Sequence, residues 1–286
     1  MLLLSQIGAT CSSTLLNVFL IWLIVKKSPE KLGRYKYLMI YTASFDIYYA
    51  LLGVISETAI FSHGYSILVY RFYNNNNWFD RVFSIPLTIA YCGSFGMSMA
   101  CLAVHFVYRF GVTNSDFHKK ITTGWRFAML FVTPFIYMLW WGCVVFFGCM
   151  PDQDSDDYLR SRFLETLDLK LENVTYVLLK FYKIEKETGL SVFNTSAWIV
   201  TANMYIMVTI VPVLIMYCPI FVFFFCPILN IDMGYSSRFI SDCIAWYPAV
   251  NPLPNFIVIK NYRNAIIDIF TCLKNVNVNK TQSQNV

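Results

Sequence analysis

Charged residues are scarce in this 286-residue chain and account for 14% of it, against roughly 25% in ordinary globular domains. Hydrophobic residues account for 57%. The scarcity of charges leaves several apolar stretches of about 20 residues, the length that a helix needs to cross a bilayer. A single soluble core of this size cannot enclose so many of them. The composition therefore excludes a water-soluble domain.

The apolar stretches also lack the alternation of polar and apolar residues that transmembrane β-strands show. The predicted fold class is therefore all-α, a polytopic transmembrane helix bundle. We predict six spans at about residues 2–25, 37–61, 85–106, 127–150, 198–229 and 239–259. They would form one bundle domain over residues 1–270, with an extracellular loop over 151–197 and a short cytoplasmic tail over 271–286.

Enzyme and metal-site patterns are missing as well. No catalytic signature such as His-Glu-x-x-His, Gly-x-Ser-x-Gly or a phosphate-binding loop occurs. His105 has Arg109 at i+4 instead of a second ligand, which favours a helix-packing residue. Seven of the nine cysteines lie well inside predicted spans and an eighth, Cys149, lies at the end of the fourth span, so we expect no disulfide framework, although a pair between Cys149 and Cys92 stays open. We expect no enzyme activity, no cofactor and no metal.

The distribution of lysine and arginine orients the chain, because these residues concentrate in cytoplasmic loops. The connection between the first two predicted spans carries five of them, whereas the longer connection over 62–84 carries two. Segment 151–197 carries six basic and nine acidic residues and contains the glycosylation sequon Asn173-Val174-Thr175. We therefore predict a multi-pass plasma-membrane protein with an extracellular N-terminus and a glycan at Asn173.

After residue 197, the loops can no longer alternate simply between the outside and the inside of the cell. The two remaining spans would place the basic tail outside, which reverses the charge rule, so one crossing is missing between residues 151 and 198. The best candidate within the loop, residues 174–182, is far too short to cross. The run 198–229 is too long for one untilted helix and short for two. It is either a single tilted, kinked helix or the remnant of one helix fused to another.

Three short motifs carry a family resemblance. They are Gly33-Arg34-Tyr35-Lys36-Tyr37-Leu38-Met39-Ile40-Tyr41, His105-Phe106-Val107-Tyr108-Arg109-Phe110 and Tyr247-Pro248-Ala249-Val250-Asn251-Pro252-Leu253-Pro254, the last followed by Ile259-Lys260-Asn261-Tyr262-Arg263. In this order they resemble the nematode seven-transmembrane serpentine chemoreceptors of the Str type, which are G-protein-coupled receptors. The resemblance covers roughly residues 1–150 and 205–270. The chain departs from the family by lacking a fifth span with its basic loop, and by Asn251 where the family has Asp.

The resemblance implies a GPCR-like bundle that binds a small external chemical, such as an odorant, and signals to a heterotrimeric G protein. It also implies residence in a sensory cilium. Residues expected to serve G-protein coupling or switching are Asp46, Tyr108, Arg109, Asn251, Pro252, Tyr262 and Arg263. Residues expected to contact the ligand, in the outer parts of the third and last spans, are Tyr91, Cys92, Phe95, Asp242 and Trp246.

Several of these residues also have plainer interpretations. Asp46 is the deepest carboxylate, and a charge at that depth costs about 2.5–3.5 kcal/mol, so it faces inward, either in a polar switch near Asn251 or in a structural hydrogen bond. Asn251-Pro252 frees backbone carbonyls that need other partners, in a static or a mobile kink. Without the family resemblance, the simplest interpretation of Arg109 is a cation at the end of a span whose side chain reaches the lipid headgroups.

Three alternative interpretations stay open. Loss of the fifth span would remove one wall of the ligand pocket. The chain would then be a receptor impaired by an internal deletion. Alternatively, it is a non-functional paralogue or an incomplete gene model. A membrane transporter or channel is the alternative from another class. Transporters often contain internal repeats with paired broken helices, and the two halves of this chain share no convincing similarity.

Overall fold

The computed structural model describes residues 2–72, 78–113, 115–162, 173–184, 191–208, 237–269 and 271. The helices are α1 (Leu2–Lys27), α2 (Tyr35–Ser56), α3 (Trp78–Thr113), α4 (Ser115–Thr122), α5 (Trp125–Gly148), α6 (Gln153–Arg162), α7 (Thr195–Val208), α8 (Ser237–Val250) and α9 (Leu253–Val258). The strands are β1 (Thr58–His63), β2 (Ser66–Phe72), β3 (Val174–Lys180), β4 (Tyr182–Ile184) and β5 (Ser191–Phe193). A short 3-10 turn spans Glu30–Leu32, and residues 260–269 are helical.

Four of these helices are long and apolar enough to cross a membrane. The segments are Leu4–Lys27, Tyr35–Ser56, Val82–His105 and Trp125–Gly148. Large apolar side chains such as Leu15, Leu139 and Phe147 point out of the bundle, as they do where lipid covers the surface. The predicted helical membrane bundle is confirmed.

The long helices run between two faces of the bundle, which we name the sheet face and the tail face. At the sheet face, which carries β1–β3, the Gln6 side chain donates a hydrogen bond to the Thr58 carbonyl (2.9 Å). At the tail face, the hydroxyls of Ser28 and Tyr262 lie 2.7 Å apart. Helix α1 and the final helices therefore run parallel, and the segment around Tyr262 lies on the same face as the basic first connection. This agrees with the loop charges and not with six alternating spans.

Helices α7 and α8 both begin at the sheet face, although they follow each other in the chain. Asn194, just before α7, donates its side-chain amide to the Lys180 carbonyl (2.7 Å), and α8 packs against β1. The predicted span 198–229 therefore starts as a helix that leaves the sheet face. Its part beyond Val208 lies outside the described residues.

The second predicted span, 37–61, extends too far. Helix α2 ends at Ser56, because Glu57 adopts the left-handed conformation (φ 47°), and the following residues form β1. Strands β1 and β2 make a hairpin with the two-residue loop Gly64-Tyr65. Gly64 has φ +56°, as the first loop position of a type II′ turn requires. The apolar run thus folds back as a strand instead of continuing as a helix.

Strand β3, within the loop segment that was too short to cross, joins the hairpin in the antiparallel order β1-β2-β3. Both faces of this sheet are covered. The inner face packs on the helices and the outer face packs on α6. The inner residues are Ile67, Val177 and Leu179, against Tyr49 and Tyr91, and the outer ones are Leu68, Tyr70 and Leu178, against Tyr158 and Leu159. The two loops therefore build a lid over one end of the bundle.

Helix α6 is held on the sheet by a defined cap. The backbone N–H of Ser155 donates to the Asp152 carboxylate (2.7 Å), which satisfies a free donor of the first helical turn. Burial alone would raise the pKa of Asp152, but the hydrogen bonds from Ser155 and the nearby Lys183 and Lys180 hold this pKa below its usual value. Lys180 also pairs with Asp154.

Helices α3 and α5 approach closely because Gly93 has no side chain. A Cβ atom at this position would lie 2.9 Å from the Met138 carbonyl oxygen, closer than real Cβ contacts allow. At Gly53 of α2, by contrast, a Cβ atom would lie an ordinary 3.8 Å from the Tyr91 ring. The α3–α5 packing therefore requires glycine, whereas a methyl group at Gly53 would make only an ordinary van der Waals contact.

We expect Gly93→Ala to lower the free energy of unfolding by about 1–3 kcal/mol, because the backbone of α5 must move to admit the methyl group. Gly53→Ala is the matched control, since both substitutions gain the same helix propensity of about 1 kcal/mol and only the clash differs. The measurement is thermal unfolding of the detergent-solubilised protein, followed by a dye that reacts with newly exposed cysteines. Equal stability of the two variants would contradict the close packing.

The cap of α6 predicts a pH dependence of the lid. Because the pKa of Asp152 is lowered in the folded state, its contribution is present at neutral pH and is lost as the pH falls below about 4 towards the folded pKa. We expect Asp152→Ala to cost about 1 kcal/mol and to speed amide hydrogen exchange in α6 at pH 7, but not at low pH. Asp157→Ala, at an exposed site of the same helix, is the control. An unchanged difference between wild type and Asp152→Ala from pH 7 to 3 would rule out this cap.

Candidate functional site

A polar core lies in the middle of the bundle between α1, α2 and α8. The Asn251 amide donates a hydrogen bond to Oδ2 of Asp46 (2.5 Å), and Asp46 is 1% exposed. The Ser13 hydroxyl contacts the Asp46 carbonyl at 3.5 Å. The structure thus brings together Asp46 and Asn251, the pair that the sequence analysis considered as neighbours in a switch.

The backbone break in the last span has a partner that sequence reasoning missed. Pro252 carries no N–H, so the Pro248 carbonyl four residues earlier has no donor within the helix. The Asn17 amide of α1 donates to this carbonyl at 2.8 Å and is itself fully buried. An Asn in the middle of the apolar first span was the available sequence signal. The prediction that freed carbonyls find partners on neighbouring helices is met at this position.

This core is not fully satisfied. Within the described part of the chain, Oδ1 of Asp46 and Oδ1 of Asn17 are buried without a hydrogen-bond donor. A buried acceptor without a donor costs about 1–3 kcal/mol. The described part of the core therefore leaves two acceptor atoms unused beside the Asn251–Asp46 hydrogen bond.

A second polar cluster ties α2 to α3 near the tail face. His105 lies with Nε2 2.7 Å from the Thr42 hydroxyl and Nδ1 3.0 Å from the Tyr35 hydroxyl. The Tyr35 ring also packs on Tyr108, with centroids 5.1 Å apart, and Tyr108 is 3% exposed. His105 therefore joins two helices, and the described residues contain no group of three metal ligands.

The remaining residues expected at the G-protein side lie in different settings. The backbone of Arg109 belongs to α3, and its side chain lies outside the described residues. Tyr262 is fully buried against the end of α1, whereas Arg263 is exposed. Pro252 is buried and is the N-cap residue directly before α9. Tyr262 is therefore a packing contact in this structure, and Arg263 is available at the surface.

The residues expected to bind ligand do not form one cluster. Tyr91 lines a cleft at the sheet-face end of the bundle. Tyr91 and Cys92 also belong to the hydrophobic cluster that includes Trp141 of α5, and Phe95 packs against it, whereas Asp242 and Trp246 are not part of it. Cys92 and Cys149 are both free thiols, so the pairing left open by the sequence is not made.

Both predicted ligand residues of the last span lie on α8. Trp246 is 40% exposed and rests on α1, with its ring 3.9 Å from the place of a Cβ on Gly8. Asp242 is half-buried. The predicted sequon residue Asn173 is exposed directly before β3, at the sheet face.

Comparisons with known proteins agree on one family. The model of the serpentine-type seven-transmembrane G-protein-coupled chemoreceptor Str matches residues 3–211 and 206–267. The G-protein coupled receptor str-217 of Caenorhabditis elegans is 28% identical, with 94% of this chain and 89% of its own length aligned. Serpentine receptor class r-10 of Caenorhabditis briggsae is 22% identical over 93% of this chain and 90% of its own length. No solved structure matches.

The contact between Asp46 and Asn251 predicts non-additive stability. We expect Asn251→Leu to lower the free energy of unfolding by about 1–3 kcal/mol, because the Asp46 carboxyl loses its donor while still buried. The exchange variant, Asp46→Asn combined with Asn251→Asp, retains one amide-to-carboxyl hydrogen bond and should regain most of the loss. Thermal unfolding of both single variants and the exchanged pair gives the coupling free energy. Additive effects of the two exchange substitutions would contradict a direct interaction.

Proposed function

Because the chain belongs to the serpentine Str family of seven-transmembrane G-protein-coupled chemoreceptors, we propose that it binds a small external chemical and passes the signal to a heterotrimeric G protein. The family is a family of receptors, not of enzymes, and receptor action needs no covalent step. The observation that carries the proposal is the polar core. Asp46, Asn251 and Asn17 join three helices at the position where the last helix is broken.

The polar core supports a mechanism of population shift. A ligand changes the equilibrium between two arrangements only if it binds one of them more tightly. The break between α8 and α9 gives the last helix two parts that meet at Asn251 and Pro252. A ligand at the sheet-face part would bias this joint, and the tail-face part would present Arg263, together with Arg109 and Tyr108 of α3, to the G protein.

The proposed orientation places the sheet face outside the cell. The basic connection after α1 then lies in the cytoplasm, as loop charges require. Asn173 at the sheet face would carry a glycan, and the N-terminus would be extracellular. The plasma membrane, and within it a sensory cilium, is the proposed location. Tyr91, Cys92, Phe95, Asp242 and Trp246 remain the proposed surroundings of the ligand.

We further propose that the fifth span is shortened by an internal deletion. The two matched segments of the family, 3–211 and 206–267, overlap, so no residue of this chain stands between them. The alignment to str-217 has 311 positions, more than the 286 residues of this chain, and therefore includes gaps on its side. Since α7 and α8 both begin at the sheet face, residues 209–236 would have to finish one crossing and supply the next.

Such a deletion would weaken G-protein coupling more than ligand binding. A full return crossing needs about 20 apolar residues, which leaves few residues for the inner end of the fifth span and its basic loop. The sheet-face half of the fifth helix, Thr195–Val208, packs on α5 and α3. The wall near the ligand would thus be retained, while the surface facing the cytoplasm would be reduced.

A chimera tests this proposal. The segment of str-217 that is missing here would be inserted after Val208, and wild type and chimera would be compared at equal surface expression in cells with a G-protein biosensor. A panel of small volatile alcohols, ketones, esters and acids serves as stimulus. We expect the same compounds to act on both proteins, with a response at least tenfold stronger in the chimera.

The outcomes separate the two parts of the proposal. Equal responses of wild type and chimera would contradict impairment by the deletion. A stimulus-evoked current in membranes free of G protein would point to a channel instead of a receptor. Silence of both proteins at verified surface expression would contradict the receptor function itself.

A further inference from the structure

One corner of the tail face is built from α4, the start of α5 and the connection before α2. Arg34 of that connection donates a hydrogen bond to the carbonyl of Thr122, the last residue of α4. Its guanidinium carbon also lies 5.5 Å from the centroid of the Phe127 ring of α5. Arg34 is nevertheless exposed. The two contacts therefore hold an exposed guanidinium in a defined position between two helices.

Three further cations lie next to the points that Arg34 contacts. Lys119 and Lys120 belong to the last turn of α4, and Arg126 belongs to the first turn of α5. All three are exposed, whereas Ile121 is buried against the bundle. Only two residues separate α4 from α5, so these side chains share one surface. We name Arg34, Lys119, Lys120 and Arg126 the basic corner.

The basic corner lacks counter-ions. Among the described residues, no carboxylate forms an ion pair with any of its four cations, and the ion pairs made by Arg71 and Lys180 lie at the sheet face. Glu30, in the 3-10 turn before Arg34, is exposed and does not pair with it. Several like charges on one surface produce a positive potential that attracts an anionic partner. The partner would supply the negative charge that the described chain does not.

An exposed tryptophan indicates where this surface lies relative to the bilayer. The candidate membrane span of α5 begins at Trp125, directly before Arg126. Trp125 is 69% exposed, and exposed tryptophans at the end of a span are typical of the membrane–water interface. The basic corner therefore lies at the level of lipid headgroups. A lipid can contact Trp125 and the cations together, whereas a soluble anion gains nothing from the tryptophan.

We propose that the basic corner binds the headgroup of a phosphoinositide, a lipid whose inositol ring carries additional phosphate groups. Guanidinium groups such as those of Arg34 and Arg126 match phosphate oxygens in pairs. Several phosphates on one ring can meet several cations at once, which a headgroup of single net charge cannot do. The proposal rests on the proposed orientation, in which the tail face is cytoplasmic, and adds a lipid partner at that face.

Short-chain lipids test this proposal on the full chain in a non-ionic detergent, with empty micelles as the blank. The probes are dioctanoyl phosphatidylinositol 4,5-bisphosphate, dioctanoyl phosphatidylserine and soluble inositol 1,4,5-trisphosphate. Thermophoresis of the protein, labelled at its C-terminus, measures each dissociation constant at about 0.15 M salt. We expect the bisphosphate lipid to bind about tenfold more tightly than phosphatidylserine, because each additional charge contact contributes a factor of about five before screening. Inositol trisphosphate should bind about fivefold more weakly than this lipid, because it has no acyl chains to bury.

Two double variants give the residue-level control. Lys119→Gln with Lys120→Gln should weaken binding of the bisphosphate lipid about tenfold. Neither lysine side chain makes a hydrogen bond or ion pair within the described residues, so the fold should be retained. Lys26→Gln with Lys260→Gln is the matched control. It removes the same charge from exposed positions of the same face, beside the contact between the end of α1 and the final helices, and it should bind as wild type does.

Arg34→Lys tests the planar guanidinium itself. The substitution keeps the positive charge and loses the paired donors, so we expect binding of the bisphosphate lipid to weaken about threefold. Thermal unfolding of the same sample checks that the loss of the Thr122 contact leaves the protein folded. Unchanged affinity of folded Arg34→Lys would overturn the role of Arg34 in the site.

The result is independent of the chemical stimulus and of G-protein coupling. Selective binding that the corner variant weakens and the control variant does not would support the site even if the biosensor stays silent, in which case only the receptor function fails. Equal affinity for phosphatidylserine, or equal losses in both double variants, would show unselective attraction and overturn the proposal. Equal affinity for inositol trisphosphate would overturn it by indicating a soluble ligand. Each of these outcomes would do so even if the biosensor reports a strong response.

Discussion

The Pro248 carbonyl is the constraint on which the centre of this bundle depends. In hydrocarbon no water can satisfy a backbone group, so a carbonyl released by a proline must find a donor within the protein. Asn17 supplies that donor from another helix. This contact and the Trp246 ring against Gly8 hold α1 on the last span, and Asn251, at the same break, donates to Asp46. Asn17, Asp46 and Asn251 thus lie in one connected polar arrangement, in which buried polar groups serve as partners for one another or for the Pro248 carbonyl.

The lid meets the same requirement, that backbone groups shielded from water find partners within the protein, at the end of the bundle. The loops after α2 and after α5 must cover their own backbone where they meet the apolar ends of the helices. They do so by pairing as a three-stranded sheet, and α6 covers the far face. Arg71 of β2 is buried, donates to the Ser56 carbonyl (2.8 Å) and pairs with Asp80. The lid is therefore anchored to both α2 and α3, and motions of these helices would reach it directly.

The sequence alone could predict the parts of this fold that depend on hydropathy and charge. Runs of apolar residues identify the long helices, and the basic residues after α1 put the tail on the same face as the first connection. The sheet could not be predicted, because β1 continues the apolar run of α2 and only Glu57 and Gly64 mark the change. Nor could the cleft be predicted, since it depends on the small side chain of Ala50, on the absence of one at Gly53 and on how four helices meet.

The cleft lined by Tyr91 and the polar core around Asp46 are built from the same two helices, α2 and α8. Tyr49 and Ala50 lie one helical turn from Asp46 on α2, and Ala245 and Pro248 precede Asn251 on α8 within two turns. Both helices therefore border both sites. Because packed interiors change between discrete arrangements and not by continuous deformation, a small shift of α8 against α2 would alter the short Asn251–Asp46 contact. The hydrogen bond to Asn17 resists that movement, since losing it leaves the Pro248 carbonyl unpaired. Helix α1 therefore borders both the cleft and the polar core, and through Asn17 it holds the last helix in place at the point where its backbone is broken.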